Sequence, residues 1–199
     1  AFNKRSTTFY TRASVFRNPI VSKILHYLGL LPIFRFRDGG RNLRNNIELF
    51  EKGADALIGR GEAIVLFPEG NHGAERRVRP LKKGVIRLLE TIYQKDSSEE
   101  VFLVPIGFNY ERLEQFKDKV SVRFGSPISS LNLLNNEGHI DLRLLDSIHQ
   151  SLQTLTTHIE DTYELKIEYL EKSQVNWLDP DEVYRVLVNY PKVNDSNTS

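Results

Sequence analysis

The chain has 199 residues, of which 40% are hydrophobic and 27% charged, with a formal net charge of +1. That length fits one domain with a sizeable core, and no apolar run nears the roughly 20 residues needed to cross a bilayer. Cysteine is absent, which excludes a disulfide framework, a thiol nucleophile and a Cys-ligated metal site.

Residues 14–28 read as a helix with Val15, Phe16, Ile20, Ile24, Leu25 and Leu28 on one side. Pro19 belongs in its first turn or forces a late start, and Gly29 is a stop. Leu30 to Phe36 reads as a strand entered through Pro32, and Asp38-Gly39-Gly40 as a turn. A second helix is expected over Asn42 to Ile58, with Leu43, Ile47, Phe50, Ala54 and Leu57 on one face. Gly59 and Gly61 bracket the turn into a strand over 62–67. Leu81 to Tyr93 reads as a third helix and Val101 to Ile106 as a strand ending near Pro105. Val120 to Phe124 alternates as a further strand, closed by Gly125-Ser126-Pro127. From Asp141 a helix is expected, with Leu145, Ile148, Leu152, Leu155 and Ile159 as its stripe and Asp141 as N-cap. Residues 191–199 are polar and expected to be disordered. Strands alternating with helices argue for an α/β sheet with crossover helices.

Charge divides the chain. Residues 1–87 carry 17 Lys/Arg against 7 Asp/Glu, a local +10, and residues 88–199 carry 10 against 19, a local −9. The first half therefore suits an anionic partner, be it a phosphate ligand, an anionic lipid surface or nucleic acid. The plain alternative is a polar surface with uneven patches. Within the basic half, Phe67-Pro68-Glu69-Gly70 follows an apolar strand and precedes Arg76, Arg77, Arg79, Lys82, Lys83 and Arg87, with no acidic residue among 76–87. A carboxylate at a strand end beside such charge suggests a site for a phosphorylated ligand, because ligands of open α/β sheets gather outside the strands' carboxyl ends. Were 30–36 to neighbour 62–67 in parallel, Arg35 and Glu69 would reach one sheet edge. Arg suits bidentate phosphate recognition and Glu accepts from hydroxyls.

Other chemistries lack their residues. No GxxxxGK[ST], GxGxxG or GxSxG occurs. His26, His72, His139, His149 and His158 show no metal-ligand spacing; His149 and His158 read as packing or surface histidines of one helix. Glu69 and His72 could form an acid/base pair, but a ligand acceptor beside a loop histidine is the preferred reading. The basic cluster has no interleaved aromatics for base stacking, which argues against nucleic acid.

On these residues the chain resembles the glycerolipid acyltransferases, the family of glycerol-3-phosphate and 1-acylglycerol-3-phosphate acyltransferases, over roughly residues 9–128. Phe67-Pro68-Glu69-Gly70 is similar to the family's third block and Gly29-Leu30-Leu31-Pro32-Ile33-Phe34-Arg35 to its second, with Arg35 at the phosphate-binding arginine. Val104-Pro105-Ile106 resembles the fourth block, and Lys82-Lys83-Gly84 the basic step after the third. The resemblance implies a mixed, mainly parallel α/β sheet flanked by helices, with a helical C-terminal segment. It places an acyltransferase core over 1–140, a helical segment packed on it over 141–190, and the tail over 191–199.

The resemblance also implies transfer of a fatty acyl group from a thioester, acyl-CoA or acyl carrier protein, to the hydroxyl of a lysophosphatidate-like acceptor in phospholipid synthesis, with no further cofactor and no metal. Substrate binding falls to Arg35, Glu69, Gly70, Asn71, His72, Lys82 and Lys83, supported by Phe67, Pro68 and Pro105. The family's base is a histidine with an aspartate five positions on. Here those positions hold Leu31, Arg77, Leu144, Thr154 and Tyr163. With no methionine in the chain, the catalytic pair is expected upstream of Ala1, so no catalytic residue is assigned. The alternative is a non-catalytic phospholipid or membrane-surface binding domain that lacks the pair. The family usually follows its third block with Thr or Ser and then Arg, whereas Asn71 and His72 stand here. Peripheral attachment to the cytoplasmic face of a membrane is the corresponding expectation.

Overall fold

In the computed structural model, which describes residues 5–33, 43–70, 73–113, 115–160 and 163–191, the central strand is one that the helix and strand periods do not announce. β1 (Thr7–Arg12) is flanked by β2 (Leu30–Ile33) and β3 (Ala63–Val65) in a parallel sheet of order β2-β1-β3. Thr7, Thr8, Phe9, Tyr10 and Thr11 are β-branched or aromatic, which suits a pleated surface. Phe9 stands opposite Leu30 on one side and Val65 on the other. Leu30–Ile33 and Ala63–Val65 are therefore not direct neighbours: each pairs with β1 instead. Pro32 is tolerated because β2 is an edge strand within this sheet, where a missing N–H costs no ladder bond.

The helix expected over 14–28 is divided. A 3-10 turn covers Ala13–Arg17, and α1 begins only at Pro19 and runs to Tyr27. Asn18 makes the break, because its side chain accepts from the N–H groups of Ile20 (2.9 Å) and Val21 (3.3 Å) and its extended backbone starts a new helix. Gly29 stops it, at φ +76°, and a Cβ there would stand 3.0 Å from the Thr7 carbonyl oxygen.

α2 (Leu43–Arg60) and α3 (Gly84–Lys95) follow, close to their expected bounds. The chain divides into two compact units, the first made of the described residues of 1–71, 80–103 and 129–146, the second of those of 72–79, 104–128 and 147–199. In the first, α3 buries Val85, Ile86, Leu88, Leu89, Ile92 and Tyr93, alongside Tyr10, Leu49, Phe50 and Ala54. A Cβ on Gly53 would land on the Tyr10 hydroxyl and 3.3 Å from Leu88 Cδ1, so β1, α2 and α3 meet there without slack. The Tyr10 hydroxyl donates to the Leu49 carbonyl, and burial pushes its pKa up to about 12. Ser130 closes the unit, donating through Oγ to the Val101 carbonyl at 2.9 Å with Tyr93 Oη 2.8 Å away. β4 (Phe102–Leu103) pairs with β7 (Ile128–Ser129).

The strand expected over 101–106 is likewise broken at Pro105, and β5 (Ile106–Tyr110) pairs in antiparallel fashion with β6 (Val120–Phe124), which has its expected bounds. The parallel and antiparallel pairings thus fall in separate sheets. The hairpin turns small and polar residues inward. A Cβ on Gly107 would meet the Leu155 carbonyl oxygen at 2.6 Å. Buried Asn109 donates to that carbonyl at 2.9 Å and accepts from the Thr157 N–H at 2.9 Å. α4 (Arg143–Leu155) ends before Ile159, so its stripe stops earlier than expected; Asp141 accepts from the Arg143 N–H at 2.8 Å, as an N-terminal cap should. α5 (Tyr163–Lys172) and α6 (Pro180–Leu187) then enclose Ile159, Leu170, Val175 and Val183. Arg123 of β6 donates to Asp179 (2.6 Å) and Asp181 (2.7 Å) at the start of α6. Among the described residues, six α-helices and a three-stranded parallel sheet make the fold α/β.

Candidate functional site

β3 is short, ending at Val65, and Leu66 leads into a β-turn over Phe67–Gly70. Pro68 sets φ for the second position of that turn, and the Gly70 N–H donates to the Phe67 carbonyl at 3.1 Å. Gly70 takes φ +67°, a conformation that L side chains rarely adopt. The turn is latched from outside: the Lys82 N–H donates to the Pro68 carbonyl at 2.7 Å. A Cβ on Gly70 would touch Lys82 Cγ at 3.4 Å. The Phe-Pro-Glu-Gly segment and the Lys82-Lys83-Gly84 step, twelve or more residues apart in sequence, therefore meet. Phe67 is exposed, Glu69 half-buried, and Lys82 and Lys83 are exposed.

α3 starts at Gly84 directly behind the two lysines. Its first turn holds no acidic residue, and Lys83 at the N-cap makes no side-chain capping bond. The positive end of a twelve-residue helix thus adds its field to that of Lys82 and Lys83. A carboxylate acceptor and a cationic rim occur together at the carboxyl end of a parallel strand, where such sheets hold ligands.

The basic run is divided between the two units. Arg76, Arg77 and Arg79 lie in the second unit and are engaged there. Arg76 donates to the carbonyls of Tyr110 (2.7 Å) and Glu111 (2.8 Å) and stacks over Trp177 at 4.1 Å. Burial lowers its pKa, against the opposing charges of Tyr163, Asp118 and Glu171. Arg77 and Arg79 face Glu75 at 3.0 and 3.6 Å, a carboxylate just outside the 76–87 window. Arg76 is a structural cation here, fixed to two carbonyls and an indole. Nothing in the local spacing could have announced this, because each partner is more than thirty residues away.

Of the other residues singled out, Arg35, Asn71 and His72 lie outside the described residues, as does the tail from 192. Pro105 is buried in the second unit, where its carbonyl accepts from the Gly125 N–H at 2.8 Å. His158 is off the helix that carries His149. Its Nδ1 accepts from the Val78 N–H at 2.8 Å and its Nε2 stands 3.0 Å from Glu160, so it is a packing histidine. The His149 and His158 rings meet edge to face at 6.2 Å. Among the described residues no group of His, Asp or Glu could hold a metal ion, and no helix is long and apolar enough to cross a membrane. The latch of Lys82 onto Pro68 was not legible beforehand, since it runs through backbone atoms.

A family model described as Acyltransferase matches residues 1–109. An uncharacterized acyltransferase of Schizosaccharomyces pombe is 32% identical over 109 residues, which cover 51% of this chain and 16% of the relative. The chain therefore spans about a sixth of that relative's length. No solved structure matches.

Proposed function

This chain belongs to the acyltransferase family, and on that premise we propose that it passes a fatty acyl group from a thioester donor to the hydroxyl of a lysophosphatidate-like, phosphorylated glycerol acceptor. The observation that carries this reading is the latch between the Phe67–Gly70 turn and Lys82. It brings a hydroxyl-accepting carboxylate, two ammonium groups and a helix N-terminus to one strand end, a set matched to a polyol phosphate.

In this reading Lys82 and Lys83 hold the phosphate with Arg35, while Glu69 accepts from an acceptor hydroxyl and fixes the glycerol backbone. Asn71 and His72 extend the acceptor site, and Phe67 offers an apolar surface beside it. Transfer then proceeds by attack of the acceptor oxygen on the thioester carbonyl. The O–acyl bond forms, the C–S bond breaks, the hydroxyl proton passes to a base and the thiol departs protonated. The turn performs the binding and orienting part of this sequence, worth several powers of ten in well-aligned reactions; Glu69 is not assigned the proton transfer. The donor, acyl-CoA or acyl carrier protein, is a substrate, and no further cofactor is called for. The lipidic acceptor places the work at a membrane surface, on its cytoplasmic face, and in phospholipid synthesis.

Acyl transfer by the full-length protein, assayed with acyl-CoA, tests this. Lysophosphatidate is expected to be acylated at least about tenfold better, in kcat/KM, than the monoacylglycerol that lacks only the phosphate, given about 1.5–3 kcal/mol for each charged hydrogen bond lost. No acylation of any glycerophosphate would sink the reading. Tight binding of anionic lipid without turnover would replace it with a non-catalytic lipid-binding domain.

A further inference from the structure

α1 points its apolar side away from the protein. Among Pro19–Tyr27 and the capping Leu28, Ile20 is 72% exposed, Ile24 54% and Tyr27 90%, with Val21 and Leu28 exposed as well. At 100° per residue these five side chains fall on one arc about 120° wide. Leu25 and Ser22, which follow beyond the Val21 edge of that arc, are the half-buried ones, and no residue of the helix is fully buried. A helix of a water-facing surface would be turned the other way.

Its charges match the arc. Residues 1–37 contain seven Lys/Arg and no Asp or Glu. Arg17 ends the 3-10 turn before α1 and Lys23 lies within it, both exposed. A second exposed apolar surface, the outer face of β5 and β6 with Phe108, Val122 and Phe124, is different. It is bordered by the anions Glu111 and Asp118 as well as by Arg112, Lys117 and Lys119. An apolar stripe flanked by the exposed cations Arg17 and Lys23 is complementary to anionic phospholipid, where hydrophobic insertion and electrostatic attraction add.

We propose that α1 is the protein's lipid-docking element: it lies in the plane of an anionic bilayer, about 14 Å long, with Ile20, Val21, Ile24, Tyr27 and Leu28 in the acyl boundary and Arg17 and Lys23 at the headgroups. This deepens, and rests on, the peripheral attachment in the proposed function.

The test uses vesicle co-sedimentation with phosphatidylserine/phosphatidylcholine vesicles and with phosphatidylcholine alone. Native protein is expected to bind the mixed vesicles and to release as salt rises. Ile20→Ser/Ile24→Ser should weaken binding at least about tenfold, since each buried isoleucine contributes on the order of tenfold or more. Arg17→Gln/Lys23→Gln should lower it about fivefold per cation. Because all four side chains are exposed, these variants should melt with the native protein.

The chain also has no cysteine, so Tyr27→Cys carries a polarity-sensitive fluorophore at a unique point. A blue shift on mixed vesicles is expected. Unchanged vesicle binding in the serine variant, no blue shift at position 27, or a concentration-dependent dimer that disappears in the serine variant would overturn the proposal. Acyl transfer to a short-chain, monomeric lysophosphatidate separates the two ideas. Activity retained in the serine variant with vesicle binding lost supports both, and activity absent from the native protein with vesicle binding intact defeats only the proposed reaction.

Discussion

α1 and α3 are both short helices of the first unit, and both carry isoleucine and leucine at helical spacing. They turn those residues in opposite directions. α3 buries six side chains, with Ile92 wholly out of solvent, while α1 buries none and leaves Ile24 more than half exposed. The difference lies in what adjoins them. α3 has α2, Tyr10 and Val101 to pack against, whereas Asn18 and Gly29 end α1 so early that only one narrow side of it meets β2 and the preceding turn. Helical periodicity identifies which residues share a face; it does not say which way the face points.

The same substitution in the two helices separates them most sharply. Ile92→Ala should cost about 2–5 kcal/mol through lost transfer energy and the cavity left behind. Ile24→Ala should stay within about 0.5 kcal/mol, as exposed sites do. Urea unfolding of the pair measures both, and equal losses would abolish the distinction. Next comes Tyr10, on the interior side of that comparison. Its pKa in the folded chain is about 12 against 10 for a free tyrosine. The stabilisation is therefore complete below pH 10 and is lost as pH rises from 10 towards 12, by up to about 2–3 kcal/mol. Tyr10→Phe should flatten that stretch of the stability–pH curve relative to the native protein.

Gly53→Ala sharpens the packing argument because two rules oppose each other there. Helix propensity favours alanine by about 1 kcal/mol, yet its Cβ would collide with the Tyr10 hydroxyl. Overpacking of about 1–3 kcal/mol should win, giving a lower melting temperature. A rise would mean the interior yields more readily than its spacing implies. A modest stability effect is expected at Gly70→Ala, about 1–2 kcal/mol from forcing alanine to φ +67°. Its KM for acceptor should rise with it, since the turn and Lys82 move together.

Much of the architecture could be read in advance. α2, α3 and β6 follow periods of 3.6 and 2 with clear punctuation by Gly and Pro, and Phe67-Pro68-Glu69-Gly70 declared its turn through Pro68 and Gly70. β1 escaped because Thr7–Arg12 abuts a helical pattern, though its β-branched and aromatic content was a usable signal. α6 had signals too, in Asp179 as cap and Pro180 at the first position. Two features had none. Arg76 is held by carbonyls and an indole remote in sequence, and the Pro68–Lys82 latch uses backbone alone.

Acceptor kinetics of Lys82→Gln/Lys83→Gln test the central claim most directly, that the latched turn and its two lysines grip the acceptor's phosphate. KM for lysophosphatidate should rise at least about tenfold, from about 1.5 kcal/mol or more of lost charged contacts. kcat should remain within about twofold, and the response to acceptors without phosphate should be unchanged. An unaltered KM for the phosphorylated acceptor, in a variant that folds normally, would contradict the account.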